Sequence, residues 1–214
     1  MKENAIKKTL DIYSGTGWIH LFAKWKFWEE PYEELEELVP KNAKIVDVGC
    51  GEGILDNFLA LGSRDRRILG FDINRERLSV ANRKVSNTQF RYGDATKSTI
   101  PSCDVIIFFH VLHHFNSYKE QEIVLRKCYK ALGKGGKLLI VEVEIKPSLK
   151  YWICWFFDFF IVPWVFEKKL WAPAFFRRSK DWKKFLDKLG FHCKIIPAEA
   201  GRPFSNVILD CSRL

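Results

Sequence analysis

The sequence predicts an α/β fold: a doubly wound, mostly parallel sheet of seven strands, finished by a C-terminal antiparallel hairpin and carrying an aromatic helical cover. Three observations carry that expectation. The run Lys44-Ile45-Val46-Asp47-Val48 empties into Gly49-Cys50-Gly51-Glu52-Gly53, three glycines at every second position. Short apolar strands then alternate with helical patterns as far as residue 143. Beyond residue 146 the alternation stops, and two late apolar runs lie close enough in sequence to pair antiparallel.

Each element has its own reason. Residues 5–28 read as one aromatic helix and 29–38 as a second, ended by Pro40. Residues 44–48 form the first strand. Ile54-Leu55 and Phe58-Leu59 have helical spacing, so a helix over 54–61 starts directly after the glycine loop and turns its free N–H groups toward it. A strand at 68–72 ends in Asp72, a helix spans 75–85, and a strand at 89–94 ends in Asp94. Residues 104–109 form a strongly apolar strand, 120–132 a helix closed by Gly133, and 137–143 a fifth strand. A last helix at 181–189 closes on Gly190. The strands at 191–196 and 206–211 are joined through Gly201-Arg202-Pro203.

Composition narrows the partners. A formal net charge of +9 on 214 residues favours an anionic partner: a phospholipid surface, a nucleic acid or an acidic substrate. The six cysteines are scattered and no pair has C-x-x-C spacing. No metal site is expected. Met1-Lys2-Glu3-Asn4 leads into a charged segment rather than a signal peptide, so free thiols in a cytoplasmic, reducing compartment are expected. All eight tryptophans fall in two flanks, at 18–28 and 152–182, with none between residues 29 and 151.

The glycine loop, Asp72 and Asp94 occupy three successive strand ends. In a parallel α/β sheet, ligands bind outside the carboxyl ends of the strands, so these groups converge on one crevice. With Gly70-Phe71-Asp72-Ile73, Tyr92-Gly93-Asp94-Ala95, the run Asp104 to Phe115 and Gly135-Gly136-Lys137-Leu138, the chain resembles the class I S-adenosylmethionine-dependent methyltransferases, a Rossmann-like family. The resemblance covers about residues 40–145, and the late strand pair fits the family's reversed hairpin.

The resemblance implies a single domain over 1–214. Residues 1–39 would be a helical cap, 40–145 the cofactor-binding core, 146–180 an aromatic insertion on the substrate side, and 181–214 the last helix and strand pair. It implies S-adenosylmethionine as cofactor. Gly49, Cys50, Gly51 and Gly53 would pass beside its methionine part and Asp47 would hold its amino group. Asp72 would bind the ribose, Ile73 would pack on the adenine, and Asp94 with Ala95 would meet the adenine edge. His110 would stand beside the transferred methyl. The nicotinamide alternative asks for G-x-G-x-x-G, whereas this loop reads G-x-G-x-G.

The segment Val111-Leu112-His113-His114-Phe115 resembles small-molecule and lipid methyltransferases of the ubiquinone-biosynthesis type. It is also similar to the phosphobase methyltransferases, in which the counterpart of His114 works with an N-terminal tyrosine. Tyr13 is the candidate partner here, so the catalytic candidates are His110, His114 and Tyr13. Strand four lacks the Asn/Asp-Pro-Pro-aromatic loop of nucleic-acid adenine methyltransferases, which argues against nucleic acid. N, O and C acceptors stay open, as does the oligomeric state. The run 151–166 is almost wholly apolar, but Asp158 and Pro163 interrupt it and it lies inside a soluble fold, against a membrane span. Basic residues flank it, as they flank Trp18 to Trp28. That is the composition of interfacial attachment, and it points to an apolar or lipid-linked acceptor taken near an anionic membrane surface.

Overall fold

A computed structural model describes residues 2–156, 159–160 and 174–214. In chain order these form α1 (Lys2–Ile12), α2 (Trp18–Glu29), α3 (Tyr32–Leu38), β1 (Lys44–Val48), α4 (Ile54–Gly62), β2 (Arg67–Asp72), α5 (Arg75–Ala81), β3 (Thr88–Tyr92) and β4 (Cys103–Phe109). Then follow a single 3₁₀ turn at Leu112–His114, α6 (Tyr118–Ala131), β5 (Leu132–Val143), α7 (Leu149–Phe156), α8 (Ser179–Leu189), β6 (Phe191–Pro197) and β7 (Asn206–Arg213).

The seven strands make one sheet in the order β3-β2-β1-β4-β5-β7-β6. The first five are parallel; β7 runs antiparallel to β5 and to β6. The order reverses between β1 and β4, which opens a crevice at their carboxyl ends. Because β7 is antiparallel, its first residue, Asn206, pairs with Val143 at the end of β5 and so lies on that same edge.

Strand alternation divides the core in two. Val46, Val48, Ile106, Phe108, Leu138 and Ile140 face one side, with Leu125 of α6 and Trp182 of α8. Ile45, Val105, Ile107, Leu139 and Val141 face the other, with Leu35, Leu55 and Phe58 of α3 and α4. Both faces are covered, which is why the central strands read as continuous apolar runs. Arg66 is a tie that the sequence did not advertise. Fully buried, it pairs with Glu36 at 3.0 Å and donates to the carbonyls of Leu59, Val39 and Pro40. It thereby satisfies the carbonyls at the end of α3, where no further turn would.

Several expectations are corrected. The single helix over 5–28 is two, because Gly15 and Gly17 take φ of 82° and 61° and turn the chain between them. The helix expected from residue 29 begins at Tyr32, since Pro31 carries no N–H and serves as its N-cap. Gly133 is not a left-handed cap; β5 starts already at Leu132, and Gly135, at φ 77°, lies where the strand's register shifts against β4. The cysteines are not all free: Cys193 and Cys211 sit opposite each other in the β6–β7 register and are joined by a disulfide, leaving Cys50, Cys103, Cys128 and Cys154 as buried thiols. Of the apolar run 151–166, α7 is helical, whereas Asp158, Pro163 and Trp164 lie outside the described residues. Among the described residues no helix is long and apolar enough to cross a membrane.

Candidate active site

One cleft of about 1120 Å³ runs along the carboxyl ends of the strands. The sheet order divides its lining. Gly49, Cys50, Asp72, Ile73, Asp94 and Ala95, from the loops after β1, β2 and β3, line one half. His110, Val143 and Asn206, from the ends of β4 and β5 and the start of β7, line the other, with Trp25, Glu30 and Tyr32 above them.

The first half is a backbone cradle. Gly49, Gly51 and Gly53 all have positive φ, at 81°, 54° and 68°. A Cβ on Gly49 would stand 2.5 Å from Val111, and one on Gly51 would enter the Arg77 guanidinium, so both bare faces are needed for close approach. The cradle is locked from outside. Gly51 N–H donates to Asp72 Oδ2 at 2.9 Å and Asn74 N–H to Asp72 Oδ1 at 2.7 Å, while Arg77 grips Glu52 with two bonds of 2.9 and 2.8 Å. Asp72 is thereby aimed, with lone pairs remaining on both oxygens. Ile73 is exposed beside it. Asp94 accepts from Thr96 N–H and Oγ, and those bonds hold its carboxyl below the usual range and therefore ionised.

Asp47 tests whether the cradle fits a cationic cofactor. It is buried against Asp56, itself fully buried, and the two carboxyls have each other but no cation or side-chain donor from elsewhere among the described residues. Burial raises both acids, Asp47 well above the usual range and Asp56 up to about 7, with Asp56 and Asp72 pushing Asp47 further. Two buried acids facing one another lack a cation, and the α-ammonium of S-adenosylmethionine is one. With glycines for the methionine chain, an aimed acid for the ribose and an exposed isoleucine for the adenine, the residues fit the group.

The second half is built from distant pieces. His110 takes a left-handed backbone, φ 53°, unusual for a residue with a Cβ and costing about 1 kcal/mol. Its N–H donates to Val141 O at 2.9 Å, and its Nε2 meets Glu30 Oε2 at 3.0 Å. Burial alone would raise the Glu30 carboxyl, but His110 and Lys26 outweigh it and hold it low. His113, not singled out from the sequence, is fully buried and bonds Glu142 at 2.6 Å, while Glu142 also accepts from Leu112 N–H. The 3₁₀ turn is thus pinned to β5. His114 lines the cleft; burial, then the cationic surroundings of His113 and Arg77, push its imidazole far below the ordinary range, so it stays neutral.

Tyr13 is placed differently from the other candidates. Its hydroxyl donates to Glu52 O at 2.6 Å and accepts from Asn57 Nδ2 at 2.9 Å, in a fully buried site. These bonds fasten α1 to the glycine loop. Glu30 and Asn206 escaped the sequence reading. The one available signal was a pair of acids, Glu29-Glu30, closing a helix otherwise rich in tryptophan.

Comparison with known proteins agrees with this geometry. Residues 46–140 match the family described as a methyltransferase domain. A demethylmenaquinone methyltransferase of Thermotoga maritima is 27% identical over 146 residues, covering 66% of this chain and 59% of that protein. A ubiquinone biosynthesis O-methyltransferase of Pseudomonas putida is 29% identical over 112 residues, 49% of this chain and 46% of its own length. The chain therefore spans about half the length of these relatives. The solved structure of human N-acetylserotonin methyltransferase with S-adenosylmethionine superposes with a TM-score of 0.67 at 18% identity, over 94% of this chain and 57% of that one. Residues 46–140 therefore carry a methyltransferase domain, whose cofactor is S-adenosylmethionine.

Proposed function

We propose that this methyltransferase domain moves the methyl group of S-adenosylmethionine to an apolar or lipid-linked small molecule, taken at or near a membrane surface from the cytoplasmic side. The observation that carries the reading is the continuity of one cleft: the glycine cradle and an aromatic chamber of Trp18, Phe22, Trp25, Tyr32, Phe109 and Phe204 line the same space. The bound cofactor supplies an electrophilic methyl on a sulfonium. The chain's own work is to hold an acceptor in line with it, which orientation can reward with several kcal/mol. Gly49, Gly51, Asp47, Asp72, Ile73, Asp94 and Ala95 hold the cofactor side. His110 and His114 border the acceptor side.

Two features support the apolar acceptor and the surface. The relatives' names concern demethylmenaquinone and ubiquinone biosynthesis. The two aromatic flanks also pack on one shared segment beside the cleft: Trp25 lies edge-on against Phe204, and Ser205 N–H donates to Cys154 of α7. From this junction large apolar side chains project into solvent, Leu21 at 65% and Trp28 at 62% exposure on α2, Leu149 at 76% and Trp152 at 57% on α7. Such side chains are what interfacial docking inserts. The basic contribution is smaller than the sequence suggested, since Lys146 pairs with Glu199, Lys150 bonds Glu199 O and Arg177 is held by Gln121 and Glu122.

Co-sedimentation with vesicles, alongside acceptor-dependent release of S-adenosylhomocysteine, tests this. Binding to anionic vesicles and turnover of lipid-extract acceptors are expected. Efficient turnover of water-soluble acceptors with no vesicle binding at low salt contradicts it.

A further inference from the structure

The acceptor half of the cleft holds a polar nest that aromatic packing does not explain. Glu29, the last residue of α2, and Glu30, its C-cap, are both buried. Lys26, one turn earlier, reaches Glu29 Oε1 at 2.9 Å and Glu30 Oε1 at 2.8 Å. Two acids at a helix C-terminus face the negative end of its dipole, and one lysine serves both, so stability alone disfavours the arrangement. Two atoms in the nest are unsatisfied: Glu29 Oε2 and Asn206 Oδ1 are buried and have no partner, although both residues line the cleft. Asn206 Nδ2 faces Glu30 Oε2 at 3.4 Å, and His110 Nε2 meets that same oxygen. The nest therefore offers unfilled hydrogen-bonding positions at the base of a chamber walled by Tyr32, Phe109 and Trp25.

We propose that this nest, Glu29, Glu30, His110 and Asn206, is the receptor for the reacting group of the acceptor, and that the group is a hydroxyl on a flat apolar ring. The proposal rests on the methyltransferase reading above. A hydroxyl both donates and accepts, which suits an unfilled amide oxygen on Asn206 and an unfilled carboxyl oxygen on Glu29 lining the same cleft. Burial pushes the Glu29 carboxyl up, with Lys26 opposing, so it takes a proton more readily than a surface carboxyl and can donate from the oxygen Lys26 leaves unmet. An aryl amine donates but accepts poorly, because its nitrogen lone pair is delocalised into the ring, so it would leave a donor in the nest unmet. Glu30 is a positioning residue: it accepts from His110 Nε2–H, so the neutral ring keeps its lone pair on Nδ1, and it stabilises the imidazolium once that nitrogen takes a proton. In the reaction the hydroxyl oxygen forms the O–C bond and the C–S bond breaks with its electron pair on sulfur. The proton shed by oxygen passes to the His110 imidazole.

Three naphthyl probes sharing one ring test this: 2-naphthol, 2-naphthylamine and 2-naphthoate. They are titrated into protein saturated with S-adenosylhomocysteine and, separately, incubated with S-adenosylmethionine for mass spectrometry. Naphthol is expected to bind at least about tenfold more tightly than the other two, about 1.4 kcal/mol, and to be the one methylated. Glu29→Gln and Asn206→Ser are expected to raise the KM for naphthol about tenfold, keep kcat within a few-fold, and leave S-adenosylhomocysteine affinity unchanged. Glu30→Gln is expected to lower kcat about 10²-fold and to change the limb of its pH profile that reports proton removal, while Glu30→Asp recovers part of the loss. Equal binding of the three probes, preference for the amine, binding of none, or an unchanged KM in Glu29→Gln overturns the assignment. Failure of the wild-type protein to bind S-adenosylhomocysteine overturns the methyltransferase reading instead, so the two failures are distinguishable.

Discussion

The two halves of the cleft are made in opposite ways. The cofactor half is backbone: positive-φ glycines, N–H groups tied to Asp72, and little side chain beyond the acids. The acceptor half is side chain: aromatic walls around a buried nest whose members come from α2, the end of β4 and the start of β7. A backbone cradle serves one invariant cofactor and tolerates no addition. A side-chain chamber can be re-lined for each acceptor without disturbing the sheet beneath.

Substitutions that separate the halves test this contrast, and the largest effect belongs to the cradle. Gly49→Val puts a branched side chain where a Cβ alone would stand 2.5 Å from Val111, at a φ of 81°. Calorimetry is expected to show S-adenosylhomocysteine binding lost by more than about 10²-fold, while α2 and its nest keep their fold by circular dichroism. Arg66→Met comes next. Removing the guanidinium leaves buried Glu36 with Lys41 alone and unpairs several carbonyls, so about 3 kcal/mol of stability is expected to go in denaturant unfolding, with cofactor affinity in the surviving folded fraction little changed.

The acids behind the cradle give a pH test. Asp56 is raised to about 7, above its unfolded value of about 3.8, so the folded chain holds a proton that the unfolded chain releases. The contribution of Asp56 to stability in the cofactor-free protein is therefore fully present below about pH 4 and is lost as pH rises toward 7. Asp56→Asn is expected to flatten that fall and to raise the melting temperature at pH 8 by several degrees, about what 1–2 kcal/mol gives a chain of this size. Smaller still is the surface effect. Trp28→Ser with Leu21→Ser is expected to weaken vesicle binding about tenfold or more without altering S-adenosylhomocysteine affinity. Smallest is the effect of a chelator: no metal is expected in the reaction, so EDTA should leave the methylation rate unchanged.

The contrast also explains what the sequence could show. The cradle was legible because G-x-G-x-G, Asp72 and Asp94 sit at fixed places relative to their strands, so local spacing reports their geometry. The sheet was legible for the same reason, from apolar runs and their terminating acids. The nest was not: Glu30 and His110 are 80 residues apart and Glu30 and Asn206 are 176 apart, and only the reversed order of β7 brings the last of these to the cleft. Tyr13 was noticed for its chemistry, yet its hydroxyl is spent pinning the loop. The cysteine pair was missed because it depends on the β6–β7 register, which no local motif announces.

The most direct test supplies the purified protein with methyl-labelled S-adenosylmethionine and a lipid extract, then follows S-adenosylhomocysteine and labelled products together by mass spectrometry. The expected result is S-adenosylhomocysteine released only when extract is present, in step with an apolar compound that has gained one labelled methyl group. Tight cofactor binding with no acceptor-dependent release would contradict methyl transfer and leave a binding module in its place.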